Sequence, residues 1–287
     1  MPSDVIQWFP GHMAKTRRLI KENLSSVDLV IELLDARIPY SSKNPEIDKL
    51  IGDKPKLTLL SKSSLADPEM CKLWQKYYSE KGKNAIFCDF VTGYNVKNIV
   101  PAIKSVMAEK LAKYESKGMN GRTVTAMVVG IPNVGKSTFI NTLCGGKKAK
   151  AENRPGVTLT KQWLKSPYGV DLLDMPGVLW PKFEEKRVGE NLALTGAIKD
   201  DVLNTDELSV ILCSRLKNLY PELFCTRYKI KDEELSEITA DYELLELVGK
   251  KRGCLISGGE IDVNRIAKIL IDEFRSAKIG KISLERP

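Results

Sequence analysis

The sequence predicts an α/β domain built on a mainly parallel sheet, followed by a smaller domain made only of helices. Apolar runs of strand length alternate with helix-like segments in the first part of the chain, which is the pattern of parallel α/β proteins. After residue 184 the spacing of apolar residues becomes helical and strand signals become rare. A chain of 287 residues is long enough for two domains, and we place them at 1–184 and 185–287.

Each predicted strand ends at a polar or Gly-rich turn, where α/β proteins place their ligand sites. The strands are predicted over 27–35, 56–60, 85–88, 123–129 and 170–174. Helices are predicted between them over 68–82 and 96–115, and residues 116–122 form a joint that contains two glycines. The second domain carries helical spacing over 188–200, 206–219, 232–248 and 262–277.

The composition excludes several classes of protein. Hydrophobic residues make up 43% of the chain and charged residues 29%, the balance of a folded domain. No run approaches the roughly 18 apolar residues that cross a bilayer, and the first residues lack the apolar core of a secretory signal. The six cysteines lie far apart without a CxxC pair, which fits reduced thiols. We therefore expect a cytoplasmic monomer without a membrane partner.

The charge of the chain favours a polyanionic partner such as RNA. The formal net charge is +8 and the pI is about 9.0. Basic residues are concentrated at 145–165 and again at 250–286. We take Lys250, Lys251 and Arg252 as candidate RNA-binding residues, with a solvated helix end as the alternative interpretation. Charge alone does not separate RNA from DNA or from an acidic protein.

A phosphate-binding loop is predicted at residues 130–138, GIPNVGKST. The segment matches G-x-x-x-x-G-K-[ST] and lies between an apolar, β-branched run and a predicted helix. Its glycines let successive backbone N–H groups face phosphate oxygens. Lys136 would bridge the β- and γ-phosphates, and the Ser137 hydroxyl would hold Mg²⁺. The candidate phosphate-binding residues of this loop are Asn133, Val134, Gly135, Lys136, Ser137 and Thr138.

Two downstream segments fit the same chemistry. Thr158 lies in RPGVT, 20 residues after the loop, and its hydroxyl is suited to Mg²⁺ and the γ-phosphate. The segment DMPG, residues 174–177, follows a predicted strand. Asp174 would reach Mg²⁺ through water, and the Gly177 N–H would contact the γ-phosphate. Either segment alone is weak evidence, but in this order they form the switch pair of a GTPase.

The loop that reads guanine, usually N-K-x-D, does not follow residue 177 but has a counterpart upstream. Residues 56–67 and 85–95 contain strands and turns of the type that flank a guanine base. The base-reading half thus precedes the phosphate-reading half, which is the order of circularly permuted GTPases. A parallel sheet tolerates this order because domain termini usually lie close together. The candidate guanine-binding residues are Ser61, Lys62, Ser64, Cys88 and Asp89.

These motifs resemble those of the RbgA/YlqF family over nearly the whole chain. The segments that carry the resemblance are WFPGHMAK (8–15), LLDARIPYSSKNP (33–45), GIPNVGKST, RPGVT, DMPG and GKKRGCLISGG (249–259). The resemblance implies a circularly permuted P-loop GTPase that assists assembly of the large bacterial ribosomal subunit. It also implies GTP and GDP as ligands, and the rRNA and proteins of the subunit precursor as partners.

The resemblance further implies two roles that the residues alone do not establish. Many GTPases orient the attacking water with a Gln after the DxPG glycine, but this chain has Val178 there. In the resembling family a histidine in the PGHMAK motif replaces that Gln, and the matching residue here is His12, in a segment that we expect to be mobile. Asn133 resembles the asparagine that holds K⁺ beside the phosphates in potassium-stimulated GTPases.

The base-reading loop departs from the family pattern. Aligned with N-K-x-D, the chain has Ser61 at the Asn and Ser64 at the Asp. Loss of a carboxylate that accepts from two guanine N–H groups should weaken guanine binding by about 2–4 kcal/mol. Two hypotheses follow: a GTP-dependent ribosome assembly factor, or a ribosome- or RNA-binding protein with relaxed nucleotide specificity and little hydrolysis.

Overall fold

The computed structural model describes residues 6–119, 121–146 and 161–287. These residues contain one six-stranded sheet in the order β3-β2-β1-β4-β6-β5. Every neighbouring pair is parallel except β5 with β6, which is antiparallel. The strands are β1 (Leu29–Asp35), β2 (Lys56–Ser61), β3 (Ala85–Phe87), β4 (Val124–Gly130), β5 (Gln162–Lys165) and β6 (Val170–Asp174). The predicted α/β class is therefore confirmed, and the edge strand β5 is the one that sequence reasoning missed.

The strand order explains why the motifs occur in an unusual sequence along the chain. Strands β1 to β3 form one side of the sheet and β4 to β6 form the other, with β1 hydrogen-bonded to β4 at the centre. Moving the second set ahead of the first in the sequence would leave every strand in its place. The register pairs Leu33 with Gly130 and Asp35 with Ser61, so that β1, β2 and β4 end along one edge. The phosphate loop and the base-reading loop both leave from this edge.

Helices cover the sheet and connect its strands. Those of the first part are α1 (Gly11–Asn23), α2 (Pro45–Ile51), α3 (Pro68–Glu80), α4 (Ile99–Val106), α5 (Ala108–Glu115) and α6 (Lys136–Cys144). The prediction of one helix over 96–115 is wrong in detail, because the helix breaks at Met107. Sequence reasoning also missed α1, which begins directly after Pro10, and α2, which is capped by the Asn44 side chain.

After residue 184 the described chain is mainly helical, with turns, one bridge between Leu255 and Ile261 and an irregular segment over the last ten residues, 278–287. Its helices are α7 (Lys186–Leu194), α8 (Thr205–Leu219), α9 (Pro221–Tyr228), α10 (Asp232–Ser236), α11 (Asp241–Lys251) and α12 (Val263–Arg275). This confirms the predicted helical region, although the expected helix over 232–248 is divided into α10 and α11. Helices α8, α11 and α12 pack on one another through residues such as Leu212, Leu244 and Leu270, which are fully buried.

The last residues of the chain return to the first part of the molecule. The Ile282 N–H donates to the Leu65 carbonyl over 3.2 Å, and the Leu284 N–H donates to the Arg37 carbonyl over 2.9 Å. Trp74 Nε1 donates to the Glu285 carbonyl over 3.3 Å. Buried apolar side chains from both parts belong to one continuous cluster. The boundary at 184/185 stays a prediction, and any second domain shares its terminal segment with the first.

No helix among the described residues is both long and apolar enough to cross a membrane.

Candidate nucleotide site

The phosphate loop lies between β4 and α6 and is shaped by close packing and by left-handed backbone. A Cβ at Gly130 would lie 2.6 Å from the Leu33 carbonyl oxygen, so only glycine fits beside β1. Asn133 and Gly135 have φ angles of 57° and 102°, which turn the chain sharply before the helix. Lys136 is then the first residue of α6. The predicted strand, loop and helix of a phosphate-binding motif are all present.

Lys136 and Asp174 form the charged centre of the site. Their side chains are 7% and 2% exposed, respectively. Lys136 Nζ donates to the carbonyls of Ile131 and Gly130, over 2.8 and 3.2 Å. Burial lowers the pKa of Lys136 to about 8 even though the nearby Asp174 opposes the shift. Burial likewise raises the pKa of Asp174 to about 6 against the effect of Lys136. A buried lysine beside backbone carbonyls is suited to receiving phosphate.

Gly177 packs directly on the phosphate loop. A Cβ at this position would lie 2.8 Å from Pro132 Cα and 3.1 Å from Lys136 Nζ. The next residue, Val178, donates its N–H to the Gly130 carbonyl over 3.2 Å. The DMPG segment and the phosphate loop are therefore in contact. Gly177 and Lys136, which the sequence predicts from two separate motifs to bind the γ-phosphate, are in contact.

The residues around Asp174 fit a magnesium ion. Asp174 Oδ1 is buried and has no hydrogen-bond partner among the described residues. Ser137 is half-buried and directly follows Lys136. No group of three or more His, Cys, Asp or Glu residues suited to a metal occurs in the described ranges. Mg²⁺ commonly uses one carboxylate, a few waters and substrate phosphates, a set that Asp174, Ser137 and a nucleotide would supply. Thr158, the third predicted ligand, lies outside the described residues.

Asn133 joins the phosphate loop to the helical part of the chain. Its Nδ2 donates to the Gly196 carbonyl over 2.8 Å, just after the end of α7. Gly196 in turn packs against the Arg275 guanidinium at 3.4 Å from its ideal Cβ position. The bond from Asn133 is donated by the amide nitrogen, and a cation would be bound by the amide oxygen. The predicted contact of Asn133 with K⁺ is therefore compatible with the bond and stays a prediction.

Ser61 holds the phosphate loop from the base-reading side. Its hydroxyl is completely buried and lies 2.5 Å from the Val134 carbonyl oxygen and 3.0 Å from the Leu34 carbonyl oxygen. Both neighbours are acceptors, so the hydroxyl bridges the loop to the end of β1. Its predicted contact with guanine stays a prediction. The observed role is to position the phosphate loop beside the base-reading loop.

Lys62 lies in a charged cluster that sequence reasoning missed. Its Nζ is 3.2 Å from Asp35 Oδ2, and its backbone has a left-handed φ of 58°. Arg37 holds the same carboxylate with two hydrogen bonds, of 2.9 and 2.8 Å. Burial lowers the pKa of Lys62 while Asp35 opposes the shift. The only sequence signal was the polar DAR at the end of a buried strand, within the segment that carries the family resemblance.

Ser64, Cys88 and Asp89 meet at the corner of the base-reading loop. The Ser64 hydroxyl hydrogen-bonds to Asp89 Oδ2. The Cys88 thiol is buried, and burial raises its pKa to about 12. The cysteine also contacts this loop through its backbone, since the Ser63 N–H donates to the Cys88 carbonyl over 3.2 Å. Three of the predicted guanine-binding residues are therefore neighbours in space.

His12 lies in the first turn of α1, which begins directly after Pro10. The expected mobility of this segment stays a prediction. The Nε2 of His12 is buried and has no hydrogen-bond partner among the described residues, and its ring makes an edge contact with Trp8 at 6.3 Å. Next to it, the fully buried Met13 accepts a hydrogen bond from the Leu179 N–H through its sulfur, at 3.5 Å. Helix α1 thus packs on the segment that follows DMPG.

The three candidate RNA-binding residues lie at the end of α11, but two of them are already paired. Lys251 Nζ is 2.7 Å from Glu234, and the Arg252 guanidinium is 2.5 Å from Glu273. Lys250 is exposed in the last turn of the helix. Their predicted role in RNA binding stays a prediction, and the pairing leaves Lys250 as the strongest of the three.

Fold and loop together define a P-loop GTPase with permuted motif order, and comparison with known proteins gives the same class. A family model described as "50S ribosome-binding GTPase" matches residues 125–249. Ribosome biogenesis GTPase A of Bacillus cereus is 47% identical, covering 99% of this chain and 94% of the relative. Mitochondrial ribosome-associated GTPase 1 of Mus musculus is 33% identical, covering 99% and 91%.

A solved structure is similar to this chain over nearly its whole length. GNP-bound YlqF from T. maritima has a TM-score of 0.63 and 26% identity, and the match covers 95% of this chain and 98% of that one. The chain belongs to the family of ribosome biogenesis GTPase A, so the resemblance read from its motifs is confirmed. The hypothesis of an RNA-binding protein with little hydrolysis is not favoured, since the similar proteins are named as GTPases.

Proposed function

We propose that this chain binds GTP and GDP, hydrolyses GTP, and acts in assembly of the large ribosomal subunit by binding its rRNA in a nucleotide-dependent way. The observation that supports it most is the meeting of Lys136, Asp174 and Gly177 at the same sheet edge as the base-reading loop. Mg²⁺ would be held by Asp174, Ser137 and Thr158, and K⁺ by Asn133. The cytoplasmic location and the monomeric state stay predictions from composition.

His12 is proposed to position the attacking water. Its buried, unpartnered Nε2 is available for a hydrogen bond, and α1 packs on the residues after Gly177 through Met13 and Leu179. Val178, which stands where many GTPases have glutamine, has no polar side-chain atom. A water-positioning residue contributes to the hydrolysis step and little to ground-state affinity.

The nucleotide-dependent binding of rRNA has a structural route. Asn133 of the phosphate loop donates to the Gly196 carbonyl, two residues after the end of α7, and Gly196 packs against Arg275 of α12. A change in the phosphate loop would therefore reach two helices of the second part of the chain through these two contacts. Contacts with the γ-phosphate bias such two-state elements in other GTPases. The exposed Lys250 lies on that helical part and would contact rRNA phosphates.

Turnover of GTP and ATP with and without large ribosomal subunits tests the proposal. We expect GTP turnover that the subunit stimulates and little ATP turnover, with higher rates in K⁺ than in Na⁺. The His12→Ala variant should lose about 10²–10⁴-fold in stimulated turnover, the usual range for general acid–base groups, while its affinity for GDP stays within about twofold. Equal rates with ATP, or no turnover despite subunit binding, would overturn the GTPase assignment.

A salt titration of rRNA binding tests the basic residues separately. Replacing Lys250 by Glu should weaken binding and lower the salt dependence, because one phosphate contact is lost. Lys76→Glu, on the exposed face of α3, is the matched control and should leave the binding curve unchanged. An equal effect of both variants would show only a general charge effect.

A further inference from the structure

The carboxylate that the base-reading loop lacks at residue 64 is present one hydrogen bond away, on Asp89. The Asp89 side chain is nearly buried, at 4% exposure. Its Oδ1 accepts the N–H groups of Val91 and Thr92, over 2.8 and 3.0 Å, and its Oδ2 is hydrogen-bonded to the Ser64 hydroxyl. Burial raises its pKa, but these hydrogen bonds, with that of Ser64 first among them, produce a net lowering. Asp89 is therefore ionised at neutral pH.

An ionised carboxylate accepts hydrogen bonds but cannot donate one. The single proton of the Ser64 hydroxyl must then point to Asp89, and the Ser64 oxygen can offer only lone pairs to any other group. The two bases differ at ring position 1 of the pairing edge: guanine presents an N–H donor there, whereas adenine presents a nitrogen that only accepts. At position 6 the order is reversed, with a carbonyl oxygen on guanine and an amino donor on adenine, so the contrast that matters here is the one at position 1. A serine held in this state and facing position 1 can accept from guanine N1–H but cannot donate to adenine N1.

We infer that Asp89 is a specificity-positioning residue of the base site: it orients the Ser64 hydroxyl as an acceptor, so that the site selects guanine over adenine. The inference rests on the proposed binding of GTP at this site and explains how that binding survives the loss of the usual Asp. The carboxylate that other GTPases carry at the position of residue 64 stands at residue 89 in this chain. It acts on the base through Ser64, whose proton it holds.

Asp89 also caps the turn after β3, and the two roles are separable by one substitution. An asparagine at 89 can keep its oxygen on Val91 and Thr92, which preserves the turn. Its NH₂ group would then face Ser64 and donate to it, which frees the serine proton to point toward the base. The Asp89→Asn variant therefore reverses the polarity that Ser64 presents, whereas a purely structural defect would weaken all nucleotides alike.

The affinities of GDP, IDP and ADP for wild type and Asp89→Asn test this directly, with Mg²⁺ present. In wild type we expect GDP to bind at least tenfold more tightly than ADP, with IDP close to GDP because it keeps the ring N–H. In Asp89→Asn the GDP-to-ADP preference should fall at least tenfold, with ADP binding unchanged or tighter. Val91→Ala, whose side chain is 88% exposed in the same turn, is the matched control and should keep the wild-type ratio.

A carboxylate transfer provides a second, independent measurement. Ser64→Asp alone places two carboxylates side by side, so we expect it to weaken GDP binding at least fivefold instead of restoring it. Adding Asp89→Asn removes the repulsion, and the double variant should bind GDP at least as tightly as wild type. If Ser64→Asp tightens GDP equally with either residue at 89, the two positions are not coupled and the inference is wrong.

The outcomes separate this inference from the proposed function. A wild-type protein that binds no nucleotide, or binds GDP and ADP equally, would overturn the proposed GTP binding itself. A wild-type protein that prefers GDP, together with an unchanged GDP-to-ADP ratio in Asp89→Asn, would overturn only the role of Asp89. If Asp89→Asn does not fold, the comparison of Ser64→Asp with Ser64→Ala decides, since repulsion from Asp89 predicts the weaker GDP binding for the aspartate.

Discussion

At the nucleotide site, single residues matter because the atoms around them are packed too closely to accept a larger side chain or a lost hydrogen bond. Gly177 is needed because any Cβ would press on Pro132 and on Lys136 Nζ. Ser61, which replaces the usual asparagine, still reaches the phosphate loop, since its hydroxyl bridges Val134 to Leu34.

Replacement of Gly177 by alanine should weaken GTP binding at least tenfold. The added methyl group would displace Lys136 Nζ, which lies 3.1 Å from the ideal Cβ position, away from the phosphates. Isothermal titration with GTP and GDP checks this expectation. The melting temperature should fall as well, because the same Cβ would lie 2.8 Å from the backbone Cα of Pro132. An unchanged affinity would mean that the DMPG segment moves aside when nucleotide binds.

At the scale of elements, Asp28 ties the two sides of the sheet to a helix. Its carboxylate accepts from Lys110 Nζ of α5 over 2.7 Å and from the Thr125 hydroxyl and N–H of β4 over 2.9 and 3.1 Å. The Tyr114 hydroxyl adds a bond of 3.0 Å. Burial raises the pKa of Asp28, but these partners together lower it to about 2.

Asp28→Asn should lower the free energy of unfolding at pH 7 by about 1.5–3 kcal/mol, the range for hydrogen bonds to charged groups. The ordinary pKa of the side chain is 3.8 and its folded pKa is about 2. A lowered folded pKa contributes stability above the unfolded value, and this contribution disappears as the pH falls through the folded value. Urea unfolding should therefore show a wild-type advantage at pH 7 that declines between pH 4 and pH 2. If the difference in unfolding free energy between wild type and Asp28→Asn stays constant from pH 4 to pH 2, the stabilisation does not come from the ionised carboxylate.

Across the whole molecule, Glu285 joins the end of the chain to both of its parts. It accepts from the Tyr40 and Ser41 N–H groups, over 2.7 and 3.1 Å, and from Asn191 Nδ2 of α7 over 2.8 Å. Asn191 is also hydrogen-bonded to Arg215 of α8. The loop after β1, two helices and the terminal segment therefore share one buried polar network.

Glu285→Ala should destabilise the protein by about 2–4 kcal/mol, because several buried donors lose their acceptor at once. Glu260→Ala, an exposed position in the same part of the chain, is the control and should change stability by less than about 0.5 kcal/mol. Thermal unfolding of wild type should give a single transition, since the terminal segment and one apolar cluster connect residues 185–287 to the rest. Two separate transitions in wild type would instead support independent domains divided at 184/185.

The sequence by itself determined the strands with buried faces, the phosphate loop, the DMPG segment and the permuted order of motifs. These features depend on local pattern: apolar runs that only a sheet can bury, and glycines at positions where backbone must bend. Sequence pattern did not reveal α1 and α2, the division of 96–115, or the charged cluster of Asp35, Arg37 and Lys62.

The tertiary structure alone decided which residues meet. Ser64 and Asp89 are 25 residues apart in the chain, Asn133 and Gly196 are 63 apart, and Ser41 and Glu285 are 244 apart. No periodicity records such pairs, because a contact between distant segments depends on the register of the strands and the packing of the helices between them. The chemistry of phosphate binding is local and was readable in the sequence; the acceptor state of Ser64 depends on a distant carboxylate, and only the fold brings the two together.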